Sequence, residues 1–222
     1  MNPKSLESSF SGTEAPRKDS KAGLKKTRKK GHSNILQIKV SIKGIRPSIW
    51  RKLLVNSDAT LHDLHLMIQA AFGWENYHLY EFYIGRNNYT TPYDLEENDR
   101  DAIDSSGVTL EGLHLQEGNK FTYVYDFGDN WEHMVSVEKI LPPDPSALLP
   151  SCIGGKRKCP PEDCGGVYGY YDTLRKAKDP QDPEHEETAQ WLGEYDPEEF
   201  HLDSADIDVL SYKGMEDLSD TT

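Results

Sequence analysis

From Phe121 to Val137 the chain carries its most constraining pattern. Phe121, Tyr123 and Tyr125 alternate with other residues, a turn passes through Phe127, Gly128, Asp129 and Asn130, and Trp131, His133, Val135 and Val137 resume the same period. A period of two puts those side chains on one face of a strand. Two such runs around a Gly/Asn-containing turn define an antiparallel hairpin, with Gly128 or Asn130 supplying the positive φ that the reversal needs. A hairpin with so large an aromatic face is not stable alone; it needs neighbouring strands and an apolar layer across it.

The rest of the chain offers both. Ile38, Val40 and Ile42 alternate with Lys39, Ser41 and Lys43, and after Gly44 and Pro47 a second run spans Ile49 to Val55, predicting another hairpin. Thr60 with Asp63 resembles a capping box, and Leu61, Leu64, Ile68, Ala71 and Phe72 follow at helical spacing up to Gly73. That helix is expected to face solvent through His62, His65 and Gln69. A strand is predicted through His78, Tyr80, Phe82 and Ile84, then a polar excursion over 86–108. The segment from Pro142 to Gly166 reads as one long ordered loop. Short helices are predicted around Val167, Tyr168, Tyr171 and Leu174 and around Ala189, Trp191 and Leu192, with Tyr168 and Tyr171 in the core. Asp196 and Pro197 open a turn carrying Phe200, and Ile207, Val209 and Leu210 close the core. The fold class is therefore α+β, a mainly antiparallel sheet with helices packed on it, in one domain over 34–212.

Charge divides the chain. Residues 1–31 hold nine Lys or Arg against three acids, so the remainder carries about −19 of a net −13. Residues 1–33 hold almost no large apolar side chains and are expected to be a disordered basic tail; residues 213–222 form an acidic C-terminal tail. An acidic body repels phosphate backbones, which leaves nucleic acid to the run Lys25 to Lys30 or to a local basic patch. Three cysteines within thirteen residues cannot all pair, which fits a reducing cytoplasm, and no apolar run approaches the about 20 residues of a membrane span.

Several side chains could carry chemistry. Asp126, Asp129 and His133 lie near the hairpin turn, with Glu162 and Asp163 in the segment CPPEDCGG; carboxylates and an imidazole can hold Mg²⁺, Mn²⁺ or Zn²⁺ and activate water. Alternation sets Glu132 and His133 on opposite strand faces, so convergence of the whole set needs a bulge, and a core role for His133 stands beside the ligand role. Cys152, Cys159 and Cys164 with His133 would complete a zinc tetrahedron, although their gaps lack the tight two-residue knuckle; buried thiols are the alternative. Asp163 could instead be the N-terminal acceptor of the following helix. His62 and His65 could share a metal at i, i+3, without a third ligand nearby. Arg46, Arg51 and Lys52 could clamp an anion or guard an edge strand. Trp131, Tyr168 and Tyr170 could present a contact surface. The tripeptide Asp126, Phe127, Gly128 lacks the other elements of a kinase.

Five segments, RPSIWRKLLV (46–55), TLHDLHLMIQAAFGW (60–74), YDFGDNWEH (125–133), CPPEDCGGVYGY (159–170) and EYDPEEF (194–200), together resemble the Ri-plasmid ORF-3-like family. Members occur on plasmids, as passengers of insertion elements and in chromosomes. The resemblance implies a shared fold and shared key segments, and no particular reaction. The leading expectation is a non-enzymatic binding or accessory module of mobile elements that holds a protein partner. A metal-dependent hydrolase or nuclease and a DNA-binding protein acting through its basic arm are the alternatives.

Overall fold

A computed structural model describes residues 33–91 and 102–215. The basic run Lys25 to Lys30, nearly all of the expected N-terminal tail, part of the polar excursion and most of the acidic C-terminal tail lie outside the described residues. Eight strands form one sheet: β1 (Ile35–Ile42), β2 (Trp50–Asn56), β3 (Tyr80–Ile84), β4 (Asn87–Thr90), β5 (Ile103–Asp104), β6 (Lys120–Tyr125), β7 (Trp131–Leu141) and β8 (Ser151–Lys156). Their order is β5-β4-β3-β6-β7-β1-β2-β8, antiparallel throughout except for the β4–β5 pair. The sheet is thus two hairpins, β1–β2 and β6–β7, joined where Val40 pairs with Val135 and Ile38 with Val137.

Alternation is what buries one side of this sheet. Ile38, Val40, Leu53, Phe82, Tyr123, His133 and Val135 are all fully buried, whereas Lys39, Lys52 and Glu132 reach toward water. Helix α1 (Leu61–Phe72) starts on a true capping box, in which Thr60 and Asp63 exchange side-chain and backbone bonds, and stops at Gly73 in the left-handed region.

Helix α1 is not a surface helix. His65 and Gln69, expected in solvent, are buried because they face the sheet, where both bond the Tyr123 hydroxyl. Packed on the helix as well are α4 (Leu202–Leu210) and Tyr212, whose hydroxyl donates to Asp63 at 2.9 Å. The polar side chains are therefore bonded internally. His65 stacks on Tyr80 at 3.6 Å, with its nitrogens 2.8 Å from the Tyr123 hydroxyl and 2.7 Å from Asn76 Oδ1. Burial depresses its basicity well below the ordinary histidine range.

Two other helices complete the set among the described residues, α2 (Gly166–Lys178) and α3 (His185–Leu192). Arg175 and Lys176 tie them together through Asp182 and Glu184. The stretch 142–166 is not a loop throughout, since β8 within it pairs with β2. That pairing takes β2 off the edge and buries Arg51 between the rings of Phe72 and Phe200, where it donates to the carbonyls of Trp50, Ala71 and Lys156. Arg51 is therefore a structural staple and cannot serve a surface anion clamp; Arg46 remains exposed. Of the residues expected to close the core at the end, Val209 does so, while Ile207 and Leu210 are exposed because they face away from α1.

Candidate functional site

The two signature segments meet at one end of the β6–β7 hairpin. Asp126 follows β6 with φ 57°, and Asn130 precedes β7 with φ 53°; these two, and not Gly128, supply the left-handed conformations of the turn. Asp126 closes it from within, accepting the Gly128 N–H on Oδ1 at 2.8 Å while its carbonyl accepts the Asn130 N–H. The CPPEDCGG loop lies against that turn. Asp129 accepts the Gly165 N–H at 3.0 Å, and a Cβ at Gly166 would collide with the Asp129 carbonyl. One at Gly169 would collide with the Cys164 carbonyl. Backbone touches backbone here, which explains why glycines recur after Cys164.

Residues 74–78, leading into β3, form the third wall. Trp74 donates its indole N–H to the Pro160 carbonyl, and Glu75 donates its backbone N–H to Glu162 Oε1 at 2.9 Å. Asp126 N–H bonds the Leu79 carbonyl, which fixes His78 beside the turn.

His78, Asp126 and Asp163 thereby converge, each offering a ligand atom within 4.8 Å of the others. His78 Nε2 is 3.1 Å from Asp163 Oδ1 and 3.7 Å from Asp126 Oδ2. Asp126 Oδ2 is beyond hydrogen-bonding distance and the Asp163 contact lacks hydrogen-bond geometry, so this buried nitrogen has no hydrogen-bond partner among the described residues. Asp126 is only 6% exposed, and Asp163, like Asp126, holds a left-handed φ, 54°. Two non-glycine residues in that region, both with carboxylates aimed at one imidazole, are a costly arrangement to maintain. Asp163 opens to solvent, so the cluster has an accessible side.

Glu162 sits next to this cluster. Its Oε1 accepts from the Tyr125 hydroxyl at 3.2 Å as well as from Glu75, while Oε2 is buried without a partner. Burial pushes its carboxyl up, against the opposing pull of those two bonds and of His78. Tyr125 is raised in turn, by burial first and then by Glu162.

The other candidates lie elsewhere. His133 is fully buried among Phe72, Trp74 and Tyr123, and its Nδ1 is 2.9 Å from the Trp131 carbonyl, the geometry of an N–H donated to that oxygen. Burial drives its pKa down to about 3. It therefore stands with the core, on the face opposite Glu132, and not with Asp126. Cys152, Cys159 and Cys164 are free thiols that share no metal-sized cluster with it among the described residues, and burial raises all three, Cys164 to about 12. Asp129 caps Gly165, a role sequence reasoning had offered to Asp163 as the helix acceptor. Trp131 and Tyr170 are buried and cannot form a contact surface, because the sheet face and the Tyr195 hydroxyl enclose them. Tyr168 is 85% exposed and Tyr171 is partly so, since α2 buries only Gly166 and Tyr170. His62 and His65 each bond a different tyrosine and do not converge. His78 was missed as a ligand because period-two alternation placed it inside a strand, whereas β3 starts at Tyr80.

A helix-backed antiparallel sheet with an acid–histidine cluster at one hairpin end defines an α+β protein of a distinct class. The chain belongs to the plasmid pRiA4b ORF-3-like protein family, whose pattern matches residues 34–204. It is 34% identical over 188 residues to the uncharacterized protein y4hQ of Sinorhizobium fredii (strain NBRC 101917 / NGR234), covering 84% of this chain and 93% of that one. Among solved structures it resembles the protein of unknown function MM3350 from Methanosarcina mazei Go1, at 38% identity and a TM-score of 0.70, over 78% of this chain and 98% of the other. No helix among the described residues is long and apolar enough to cross a membrane.

Proposed function

We propose that this protein binds a divalent metal ion through His78, Asp126 and Asp163, and that the centre activates water for hydrolysis. The observation that carries the reading is the buried His78 Nε2, which faces two carboxylates yet bonds neither. Two ligand atoms each about 2.1 Å from one ion stand about 3.0 Å apart at a right angle and about 3.4 Å apart in a tetrahedron. The separation of 3.1 Å falls within that range and the one of 3.7 Å lies above it. One imidazole with two carboxylates suits Zn²⁺ or Mn²⁺. Three protein ligands with an open side leave positions for water and substrate, the arrangement of catalytic rather than structural centres. In this reading Glu162, adjacent to Asp163 in sequence and with an unpartnered Oε2, takes the proton from bound water. The acidic body argues against a polyanionic substrate, so a nuclease is the less favoured form of this reading.

Isothermal titration of the full chain with Zn²⁺ and Mn²⁺ tests the centre, with hydrolysis of ester, amide and phosphoester substrates as the second readout. Saturable binding of one ion per chain that is lost in both His78→Ala and Asp163→Ala is expected. Binding unchanged in those two variants would refute it.

A second reading, an accessory binding module of a mobile element, draws on the plasmid in the family's description and on the exposed aromatic rings near the CPPEDCGG loop. Co-purification of the chain with another protein of the same element, unaffected by His78→Ala, would favour it over hydrolysis.

A further inference from the structure

Beside Glu162, and facing away from the His78 cluster, runs an open groove of about 560 Å³. Its floor is apolar, with Trp74, Pro160 and Pro161, and its far wall is Trp191 and Tyr195 at the end of α3. The Trp191 ring is 53% exposed, and no residue of α3 is buried. An eight-residue helix that spends its one large ring on the surface is not using that ring to fold.

Carboxylates predominate around the groove. Glu75, Glu162 and Glu194 contribute carboxylates, and Glu162 Oε2 has no hydrogen-bond partner. Lys158 is the lone cation among the lining residues, and Glu199 already holds it at 2.6 Å. That same ammonium lies 5.5 Å from the Tyr195 ring centre, so the wall already accommodates one cation over an aromatic face. Aromatic faces beside carboxylates attract ammonium and guanidinium groups, by ring quadrupole and by charge together.

We propose that this groove is a docking site for a lysine- or arginine-rich peptide segment, one basic side chain lying on Trp191 with its charge against Glu162 and Glu194. A polyanion would meet three carboxylates, and an uncharged apolar segment would leave them desolvated without partners. The site needs no metal, and it shares only Glu162 with the reading given to His78, Asp126 and Asp163.

The test titrates the full chain, in excess chelator, with a short peptide of alternating lysine and glycine, following heat and tryptophan fluorescence; the matching glutamate peptide is the control. Saturable binding of the lysine peptide alone is expected, weakened about tenfold in Trp191→Ala and largely kept in Trp191→Phe. Glu194→Lys should weaken it comparably. Because both side chains are exposed, neither change threatens the fold. No binding, or binding that Trp191→Ala and Glu194→Lys both leave unchanged, would overturn the proposal, the latter by assigning the affinity to the acidic surface at large.

Discussion

His133 and His78 both leave Nε2 buried without a hydrogen-bond partner, and they do opposite things with it. His133 is walled by aromatic rings, held by one backbone carbonyl, and kept neutral by burial. His78 faces two carboxylates at the rim of the sheet. An unsatisfied imidazole nitrogen is thus not a site by itself. The chemistry of its neighbours decides whether it is a packing residue or a ligand, and those neighbours come from segments distant in sequence.

The largest expected effect falls on what brings the His78 neighbours together. Gly166→Ala places a methyl into the Asp129 carbonyl at a backbone φ of 67°. It should cost about 3 kcal/mol or more, or displace the loop, seen as a lower urea midpoint with loss of metal binding. If stability and ion affinity both held, the backbone contact would not be what sets the cluster.

Next in size, Asp126→Ala should reduce Zn²⁺ affinity by more than about a hundredfold, since second-sphere changes alone cost tenfold to a hundredfold. The same change at His133, His133→Gln, should leave ion affinity within about twofold, a difference too small for a lost ligand. Equal losses at the two positions would erase the distinction between them.

A smaller effect concerns pH. His65 and His133 are both depressed below the ordinary value of 6.5, so the unfolded chain binds more protons than the folded one in acid. Their stabilising contribution is whole above about pH 6.5 and declines as pH falls below it, by about 1 kcal/mol per unit for each group, for His133 down to about pH 3. Urea midpoints measured from pH 7 to pH 5 should show that decline, and His133→Gln should remove about half of it, one of two such groups. A slope unchanged in that variant would mean His133 is already wet.

The smallest effect is on stability at Trp191. Trp191→Ala should change stability by no more than about 0.5 kcal/mol, read from thermal unfolding, because an exposed ring contributes little to folding. A larger loss would turn the groove wall into a packing element.

Much of the architecture was legible because it rests on local periodicity. Both central hairpins, α1 and its capping box followed from residues within about fifteen positions of one another. Strand β8 was not legible: Ser151, Cys152, Ile153, Gly154 and Gly155 show no alternation, and two glycines there read as loop. Gly155 is required because Phe200 lies on it where any side chain would collide. Similarly, α1 looked amphipathic because His65 and Gln69 are polar, and nothing local announced that Tyr80 and Tyr123 of the sheet would receive them. At the candidate site the acids were visible and their partner was not. Asp126 and Asp163 belong to conspicuous motifs, whereas His78 precedes an aromatic strand and acquires its role only when residues 48 and 85 positions away arrive beside it.

The buried guanidinium of Arg51 has a consequence for motion. Its nitrogens reach a carbonyl in α1, one in its own strand and one in β8, and its plane is held between Phe72 and Phe200. Separating β8 from β2, or lifting Phe200, would strand a charge in an apolar medium with its acceptors gone, so neither step is a cheap partial opening. Amide hydrogens of α1 and of the β2–β8 ladder should therefore exchange through one shared event. Strand β8 and Phe200 should thus open with the sheet as one cooperative unit, although they lie beside helices that are largely exposed.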